Sequence, residues 1–389
     1  MITLPTSVQV PAVPSGCRGR LRERATWTWR LADGADPAEL VTALLNEHGL
    51  GTLPFPDGRS VHDPRAGTLC GAALVISATA GAVMVGGTTG KPSPAPAVPD
   101  IAVVVYEHGP PAPRPPVSGP EFSLGVWRDS WDPAEHAGAV SAVREAIGAG
   151  DVYQVNLVGH ARARYTGDPS AALARVASVP EARYAGGLAV DGWALACASP
   201  EQLITVEGDL LETGPIKGTR PGTEAGRAEL LASVKERAEH VMIVDLERND
   251  LAHVARPGSI EVAELFAVRR WRNTWHAEST IRARLDEGAT FAGLLRAVCP
   301  GGSVTGTPKL SALDTIAALE PVGRGPAMGA FGYLTPQRLD LGLTIRTVAA
   351  DGEHLHLWAG GGITWRSDPD AEVAEAAAKA APLRALLAG

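Results

Sequence analysis

The sequence predicts an α+β fold in which large antiparallel or mixed sheets pack against helices. Runs with period-two alternation or continuous apolar character follow one another directly, as in LDLGLTIRTVAA and HLHLWAGGGITW. Helical patterns with a period of 3.6 are grouped between such runs. A regular alternation of strand and helix would instead indicate a parallel sheet, so this grouping favours the α+β class.

The N-terminal part of the chain is expected to contain strands and one short helix. The runs TWTWRL and ALVISATAGAVMVGG predict strands, and a helical pattern covers Pro37 to Glu47. Proline-rich segments between Lys91 and Pro120 flank the apolar run IAVVVYEHG. Because proline fixes φ and removes an amide donor, we expect exposed loops on either side of a single strand.

Helix boundaries are clearer in the second part of the chain. Asp132 precedes a proline and should cap a helix, for which Gly148 and Gly150 supply a stop. The next run, VYQVNLVGHARA, predicts a strand. Apolar residues with a period of 3.6 then predict one long amphipathic helix from Glu224 to about Leu246, and a last helix spans roughly Asp370 to Leu387.

The composition excludes several classes of protein. A formal net charge of −8, from 35 basic and 43 acidic residues without a long Lys or Arg block, argues against a nucleic-acid partner. The N-terminus does not resemble a signal peptide, and no run reaches about eighteen apolar residues, so we expect a cytoplasmic protein. The 389 residues, 45% of them hydrophobic, can bury a sizeable core as one unit or as two or three domains.

The four cysteines are widely separated in the sequence. They form no CxxC pair and show no Cys/His ligand spacing, and they are Cys17, Cys70, Cys197 and Cys299. This pattern suits reduced thiols better than a disulfide framework or a zinc site.

Two pairs of glutamates are candidate metal ligands. Glu236 and Glu239 are three residues apart in one predicted helix, and Glu372 and Glu375 are three apart in another, so each pair projects from one helix face. Two such faces together would form an oxygen-rich site for Mg²⁺, which takes one or two carboxylates directly and keeps several waters. Taken alone, either pair is more typical of a solvated helix surface.

Two glycine-rich segments are candidate anion sites. CPGGSVTGTPK contains Thr305 and Lys309, and WAGGGITW contains Gly360 to Gly362. Backbone amides without side-chain obstruction can receive a carboxylate or a phosphate. Neither segment has the residue order of a P-loop, and tight turns or close packing are the alternative interpretation.

Four further residues are candidates for acid, base or nucleophilic chemistry. Lys217, beside a proline in PIKGT, becomes a nucleophile or base if burial lowers its pKa, and is otherwise a surface lysine. Glu201 becomes a general acid if its surroundings raise its pKa. His276, with Ser279 three residues on, can exchange a proton or bind a hydroxyl group. Arg346, within an apolar run, requires a carboxylate partner.

These segments occur in an order that resembles the chorismate-utilising enzyme family. From about Asp132 to the C-terminus the chain contains GDVYQVNL, SPEQL, PIKGT, EHVMIVDLERNDL, HxxS at His276, PGGSVTGTPK, IRT, GGGI and SDPDAE. The family includes the large subunits of anthranilate and aminodeoxychorismate synthases, with isochorismate and salicylate synthases as relatives. The resemblance implies an anthranilate synthase component I-like fold, with an N-terminal region at 1–120 and a chorismate-binding catalytic region at 121–389.

The resemblance also implies a role for each candidate. Glu239 and Glu375 would bind Mg²⁺ directly, with Glu236 and Glu372 holding its waters, and the ion would clamp the ring carboxylate of chorismate. Glu201 would protonate the departing C4 hydroxyl, a poor leaving group. His276 would line the pocket near the ring, and Arg346 with the glycine amides would hold the enolpyruvyl carboxylate. The expected substrate-binding residues are Gln154, Thr219, Thr305, Lys309, Arg346, Gly360, Gly361 and Gly362.

Two positions distinguish among members of the family. Gln154 stands where isochorismate and salicylate synthases have a water-activating lysine, which favours ammonia over water as the nucleophile. Lys217 stands where anthranilate synthases typically have alanine, and it resembles the lysine with which aminodeoxychorismate synthases attack C2 covalently before ammonia enters at C4. The product would serve p-aminobenzoate and folate synthesis or a secondary metabolite.

A glutaminase partner is expected to supply the ammonia, because the chain contains no GxCxG-like segment. Feedback by tryptophan is not expected, because the N-terminal third lacks the Leu-Glu-Ser-type signature of many relatives. The alternatives are an anthranilate synthase large subunit and, in another class, a non-catalytic protein that binds chorismate or a glutaminase.

Overall fold

The computed structural model describes residues 9–18, 20–56, 65–110, 121–180, 182–190, 192–271 and 273–389. The α-helices in these ranges are α1 (Pro37–Glu47), α2 (Ala78–Met84), α3 (Pro133–Ala149), α4 (Ser170–Ala177), α5 (Glu224–Ala232), α6 (Val234–Ala252), α7 (Phe291–Val298), α8 (Lys309–Leu319) and α9 (Pro369–Ala388). None of these helices is long and apolar enough to cross a membrane.

The strands of the described residues come in eighteen segments. They are β1 (Leu21–Trp29), β2 (Leu69–Ile76), β3 (Ile101–His108), β4 (Ser123–Leu124), β5 (Arg128–Asp129), β6 (Gln154–Thr166), β7 (Tyr184–Val190), β8 (Trp193–Ser199), β9 (Gln202–Glu207), β10 (Leu210–Gly214), β11 (Ile216–Pro221), β12 (Glu261–Trp271), β13 (Thr274–Arg284), β14 (Gly306–Thr307), β15 (Ala330–Leu334), β16 (Arg338–Leu343), β17 (Thr347–Ala350) and β18 (His354–Ile363).

These strands form two antiparallel sheets, which confirms the predicted α+β class. The ten-stranded sheet has the order β1-β3-β2-β15-β16-β9-β10-β13-β11, with β12 also paired to β13. The eight-stranded sheet has the order β14-β6-β18-β17-β8-β7, with β4 and β5 paired to β6. The largest apolar core contains residues from both sheets, including Leu195 of β8 and Leu341 of β16.

Two of the connections by which the chain passes from one sheet to the other are neighbours. One crossover joins β8 to β9 and contains Glu201, and the other joins β16 to β17 and contains Arg346. Backbone hydrogen bonds hold the crossovers together: Leu343 N donates to Glu201 O at 3.0 Å, and Ala198 N donates to Arg346 O at 3.0 Å. The fold thus places an acidic and a basic side chain side by side between the sheets.

Several predicted boundaries are confirmed. Helix α3 is capped by Asp132 and ends at Gly150, which adopts the left-handed conformation with φ of 88°. Helix α1 covers the predicted range, and the run IAVVVYEHG contains the single strand β3. The second proline-rich flank falls on 111–120, outside the described residues.

Three predicted elements are wrong. The single long helix is two helices, because Ser233 is extended and its side chain caps α6 by accepting from Glu236 N at 3.2 Å. The run ALVISATAGAVMVGG is a strand only to Ile76, since Ser77 caps α2. The run LDLGLTIRTVAA is not one strand either. Arg346 lies in the crossover with φ of 51°, rather than inside a strand.

Replacing the cap at the start of α6 is expected to destabilise the fold. Loss of the Ser233 side chain leaves a helix-terminal amide without its acceptor, so Ser233→Ala should lower the free energy of unfolding by about 1 kcal/mol. Urea denaturation measures the change. Ser141→Ala is the control, because Ser141 lies in the middle of α3 and only donates to Ala137 O. Equal losses in the two variants would contradict the capping role.

Candidate active site

A cavity of about 640 Å³ opens at the two crossovers between the sheets. All but two of the residues singled out in the sequence line it. They are Gln154, Glu201, Lys217, Thr219, Glu236, Glu239, His276, Arg346, Gly360, Gly361, Gly362, Glu372 and Glu375. The chain segments that carry these residues are far apart in sequence, and the fold brings them to one cavity.

Thr305 and Lys309 lie behind the cavity wall. Thr305 is fully buried and donates to Gly301 O at 2.9 Å, which holds the glycine-rich turn. Lys309 pairs with Asp250 at 2.9 Å between Nζ and Oδ1. Their polar groups are used within the protein, and neither residue is part of the cavity wall.

Glu201 is the buried acid of the cavity. It is 6% exposed and accepts a hydrogen bond from Ser303 Oγ at 2.9 Å. Burial raises the pKa of Glu201, and this effect exceeds the opposing influence of Lys217, Ser303 and Arg346. Folding therefore shifts Glu201 toward the neutral form that can donate a proton, relative to an exposed glutamate.

Glu247, a residue of α6, interacts electrostatically with Glu201. It is buried and accepts a hydrogen bond from Thr213 Oγ1 at 2.8 Å. Burial, and then repulsion by Glu201, raise the pKa of Glu247 well above its usual range. Two interacting buried carboxyls are both costly to ionise, so each favours the protonated form of the other.

Lys217 acts electrostatically on both ends of the cavity, the end with the buried acid Glu201 and the end with the four glutamates of α6 and α9. It lies on β11, the edge strand of the larger sheet, and is half-buried. Its charge opposes the effect of burial, which raises the pKa of Glu201 at one end of the cavity and of Glu239 at the other. It also contributes to the lowered pKa of Glu375. The next residue, Gly218, has φ of 72°, and a Cβ there would lie 3.1 Å from Glu236 Oε2. Glycine therefore lets the strand carry Lys217 close to the acidic helix.

Arg346 projects from its crossover into the cavity. Its side chain is exposed to the cavity. The surrounding protein nevertheless desolvates the guanidinium and lowers its pKa, and the charge of Glu201 partly offsets this effect. A cation held in such a place favours a carboxylate as its ligand.

His276 is held between two hydroxyl groups on the wall. Thr219 Oγ1 lies 3.1 Å from its Nδ1, and Thr274 Oγ1 lies 2.9 Å from its Nε2. Burial, together with the charge of Arg346, lowers the pKa of His276 to about 4. The ring is therefore neutral near pH 7 and acts as a hydrogen-bonding group of the wall. Ser279, the other half of HxxS, instead bonds His240 Nε2 at 2.6 Å.

The acidic faces of α6 and α9 meet at one end of the cavity. Burial is the largest cause of the raised pKa of Glu239, and repulsion by Glu236 and Glu372 adds to it. Burial also raises the pKa of Glu372, and repulsion by Glu375 adds to that rise. For Glu375, the attraction of Lys379 and other lysines outweighs burial and lowers the pKa. The four carboxylates thus act on one another across the two helices.

The triple glycine of β18 lets the strand run against this acidic end. A Cβ on Gly361 would lie 3.2 Å from Glu372 Oε2 and 3.8 Å from Glu375 Oε1. A Cβ on Gly362 would lie 2.8 Å from Gln154 Nε2. Side chains here would fill the space between the strand and the polar groups.

Two buried amide groups on the wall lack a protein partner among the described residues. They are Gln154 Nε2 and Asn156 Oδ1, on side chains that are 2% and 7% exposed. Unsatisfied buried polar atoms are rare and costly, so a polar ligand should complete them.

The sequence interpretation missed several members of the wall. Lys235 lies 3.8 Å from Glu239, and Lys379 lies 2.8 Å from Glu375 and donates to Gly360 O at 2.8 Å. Each lysine is four residues from its glutamate, a spacing that was visible in the sequence. Asn156, Arg220 and Ser303 also line the cavity.

This combination of a buried acid, two inward-facing cations and an acidic helix pair defines an enzyme-like cavity for a small polar anion. The chain belongs to the family of chorismate binding enzymes, whose model matches residues 79–385. This finding confirms the resemblance seen in the sequence and extends it upstream of Asp132.

Curated relatives include two kinds of synthase subunit. Aminodeoxychorismate synthase component 1 of Salmonella typhimurium is 39% identical over 269 residues, covering 67% of this chain and 59% of the relative. Anthranilate synthase component 1 1 of Haloarcula marismortui is 38% identical over 287 residues, covering 71% of this chain and 57% of the relative. The chain therefore spans less than two thirds of the length of these relatives.

Solved structures share the fold. Anthranilate synthase component I from Streptococcus pneumoniae TIGR4 has a TM-score of 0.75 at 23% identity, covering 98% of this chain and 93% of that one. The menaquinone-specific isochorismate synthase from Escherichia coli has a TM-score of 0.62 at 18% identity, covering 98% and 97%. The predicted anthranilate synthase component I-like fold is confirmed.

Proposed function

We propose that the chain converts chorismate and ammonia to 4-amino-4-deoxychorismate. The observation that carries the proposal is Lys217, whose amine belongs to the cavity wall and acts electrostatically on both the buried acid Glu201 and the acidic end. A ring bound between these groups would lie within reach of the amine. A lysine in this place supplies a nucleophile that an alanine would not.

Chorismate would be held by its two carboxylates. Arg346 and the amides of Gly360 to Gly362 would hold the enolpyruvyl carboxylate, and Gln154 Nε2 is a buried donor without a protein acceptor among the described residues. The ring carboxylate would point to the acidic end of the cavity. Binding both carboxylates would fix the ring relative to Lys217 and Glu201. Such positioning lowers the activation barrier of the reaction.

The acidic end fits Mg²⁺. The carboxylates of α6 and α9 act on one another electrostatically, and Mg²⁺ takes one or two carboxylates directly while it keeps several waters. Glu239 and Glu375 would bind it directly, and Glu236 and Glu372 through water. When bound, Mg²⁺ neutralises the repulsion between the carboxylates and the anionic substrate.

The proposed reaction has two substitution steps on the ring, first by Lys217 and then by ammonia. The Lys217 amine forms a bond to C2, both ring double bonds shift, and the C4 hydroxyl takes the proton of Glu201 and leaves as water. Ammonia then forms a bond to C4, both double bonds shift back, and the C2–nitrogen bond breaks to release the Lys217 amine. The proton that the added ammonia loses returns to Glu201. His276, neutral near pH 7, would hydrogen-bond in the wall near the ring.

A glutaminase subunit would supply the ammonia. The relatives named component 1 carry that name as one part of a synthase, and the chain itself has no GxCxG-like segment. The product would enter p-aminobenzoate and folate synthesis or a related secondary metabolite.

Anthranilate synthesis is the second candidate. An anthranilate synthase subunit is 38% identical to this chain, and an aminodeoxychorismate synthase subunit is 39% identical. Product analysis separates the candidates: the purified chain is incubated with chorismate, Mg²⁺ and an ammonium salt, and the products are identified by chromatography and mass. We expect aminodeoxychorismate without release of pyruvate. Anthranilate with pyruvate would establish the alternative, and bound but unconverted chorismate would indicate a non-catalytic protein.

Adding a methyl group at Gly361 is expected to weaken the binding of Mg²⁺ to the site. The new Cβ would crowd the carboxylate of Glu372 at 3.2 Å, and disturbing groups that orient a metal site costs roughly 10 to 100-fold in affinity. The Mg²⁺ concentration for half-maximal activity of Gly361→Ala should rise by about that factor. Gly159→Ala is the control, because its Cβ would meet only ordinary contacts at 3.7 and 3.8 Å. An unchanged Mg²⁺ dependence in Gly361→Ala would contradict the placement of the ion.

A further inference from the structure

A second group of metal-binding side chains lies outside the cavity. Cys17, Cys70 and His108 are 0%, 0% and 1% exposed. Their two sulfur atoms and one imidazole nitrogen lie within 4.8 Å of one another. None of the three lines the catalytic cavity, so the chemistry proposed above does not use them.

A β-bulge brings Cys70 into this group. The pairing of β2 with β3 shifts register between Leu69 and Gly71, which makes Cys70 the extra residue of the strand. Bulges redirect a side chain and are found at functional positions. Gly71 makes the bulge possible, because a Cβ there would lie 2.1 Å from Leu334 O of β15.

His108, the last residue of β3, is oriented as metal-binding histidines usually are. Thr68 Oγ1 lies 3.0 Å from its Nδ1, while Nε2 lies 3.5 Å from Cys17 Sγ. A metal-binding histidine commonly has its other ring nitrogen fixed by a hydrogen bond, which selects the ring orientation.

Tyr333 of β15 adds a fourth possible donor. Its side chain is 1% exposed, and its hydroxyl has no regular hydrogen bond to the described residues. The hydroxyl instead interacts with the Cys70 thiol. An oxygen therefore accompanies the two sulfurs and the nitrogen.

We propose that Cys17, Cys70 and His108 form a structural zinc site. Zn²⁺ prefers four ligands in a tetrahedral arrangement of thiolate sulfur and imidazole nitrogen. The fourth ligand would be water or the Tyr333 hydroxyl, which interacts with the Cys70 thiol. Mg²⁺, which prefers oxygen ligands, does not suit this group. Binding releases the two thiol protons to solvent, and His108 binds as the neutral imidazole through Nε2.

The site would tie the N-terminal segment to the larger sheet. Cys17 belongs to a short 3₁₀ helix, Ser15–Cys17, whereas Cys70 and His108 belong to adjacent strands.

Cobalt titration tests the site in the full chain. The protein is purified under reducing conditions, stripped with a chelator and titrated with Co²⁺ in excess Mg²⁺, which keeps the carboxylate site filled. We expect one equivalent of Co²⁺ to produce a thiolate-to-cobalt charge-transfer band and the visible bands of tetrahedral cobalt, all removed by Zn²⁺. Oxygen ligands alone would produce neither.

Two variants assign the bands. Cys17→Ala should abolish them, whereas Cys197→Ala should retain them, because Cys197 is equally buried but lies in β8 outside the group. If Cys17→Ala does not fold, the wild-type titration decides. Absence of the charge-transfer band in the wild-type protein, its persistence in folded Cys17→Ala, or a Cys17–Cys70 disulfide that takes up no metal after reduction would overturn the proposal.

Discussion

Lys217→Ala is expected to reduce the formation of aminodeoxychorismate by roughly 1000-fold or more, as removal of a covalent nucleophile does in other enzymes. The loss should fall on kcat, because the carboxylate-binding groups of the cavity remain in place. Steady-state kinetics with ammonium as the nitrogen source measures the change without a partner subunit.

Lys217→Arg separates the nucleophile from the charge. Arginine retains the positive charge that acts on Glu201, Glu239 and Glu375 but does not lose its proton in proteins. We expect this variant to be as inactive as Lys217→Ala. Activity close to that of the wild type in Lys217→Arg would mean that Lys217 acts through its charge alone.

Glu201→Gln is expected to reduce kcat by about 100 to 10,000-fold, the usual contribution of a general acid. The amide can still accept the hydrogen bond that Ser303 Oγ donates to this position, so the geometry of the wall should be preserved. Because burial raises the pKa of Glu201, the neutral acid is present below that pKa and is lost as the pH rises through it. The alkaline limb of the wild-type pH–rate profile should be missing in the variant.

The stability of Glu201→Gln provides the control for folding. A carboxyl whose pKa is raised on folding holds its proton more tightly in the folded state, so wild-type stability falls as the pH rises from the unfolded pKa to the folded pKa. Glutamine carries no such cost. The variant should be at least as stable as the wild type at pH 8 in thermal unfolding, and a clear loss of stability would attribute its inactivity to misfolding.

Local chemistry made much of the fold predictable. Asp132 and Gly150 bound α3 because capping and left-handed glycine depend only on nearby residues. The sequence does contain a signal for the cap at Ser233, which is a Ser followed three residues later by Glu236. The prediction of one helix overlooked this signal because the apolar period continues across the break between α5 and α6.

The crossover at Arg346 was not predictable from pattern alone. The run LDLGLTIRTVAA is mostly apolar from end to end, because β16 and β17 are both largely buried, although in different sheets. Local periodicity does not indicate that a chain changes sheet. The sequence therefore predicted a buried cation in need of an anion, but not its position beside the Glu201 crossover.

Contacts between distant segments were the other missing part. The grouping of Cys17, Cys70 and His108 depends on the pairing of β2 with β3 and on a bulge, and no short spacing in the sequence indicates it. The reduced-thiol interpretation agrees with the absence of disulfides among the described cysteines. It did not indicate that two of them share a site with a histidine.

The most direct test of the account is whether Lys217 becomes bonded to the substrate. The chain is incubated with chorismate and Mg²⁺ without ammonia, quenched in denaturant, and examined by intact-protein and peptide mass spectrometry. The account predicts one added group with the mass of chorismate less one water, located on Lys217 and removed when ammonia is supplied before the quench. Full amination activity with no adduct, or with an adduct on another residue, would contradict it.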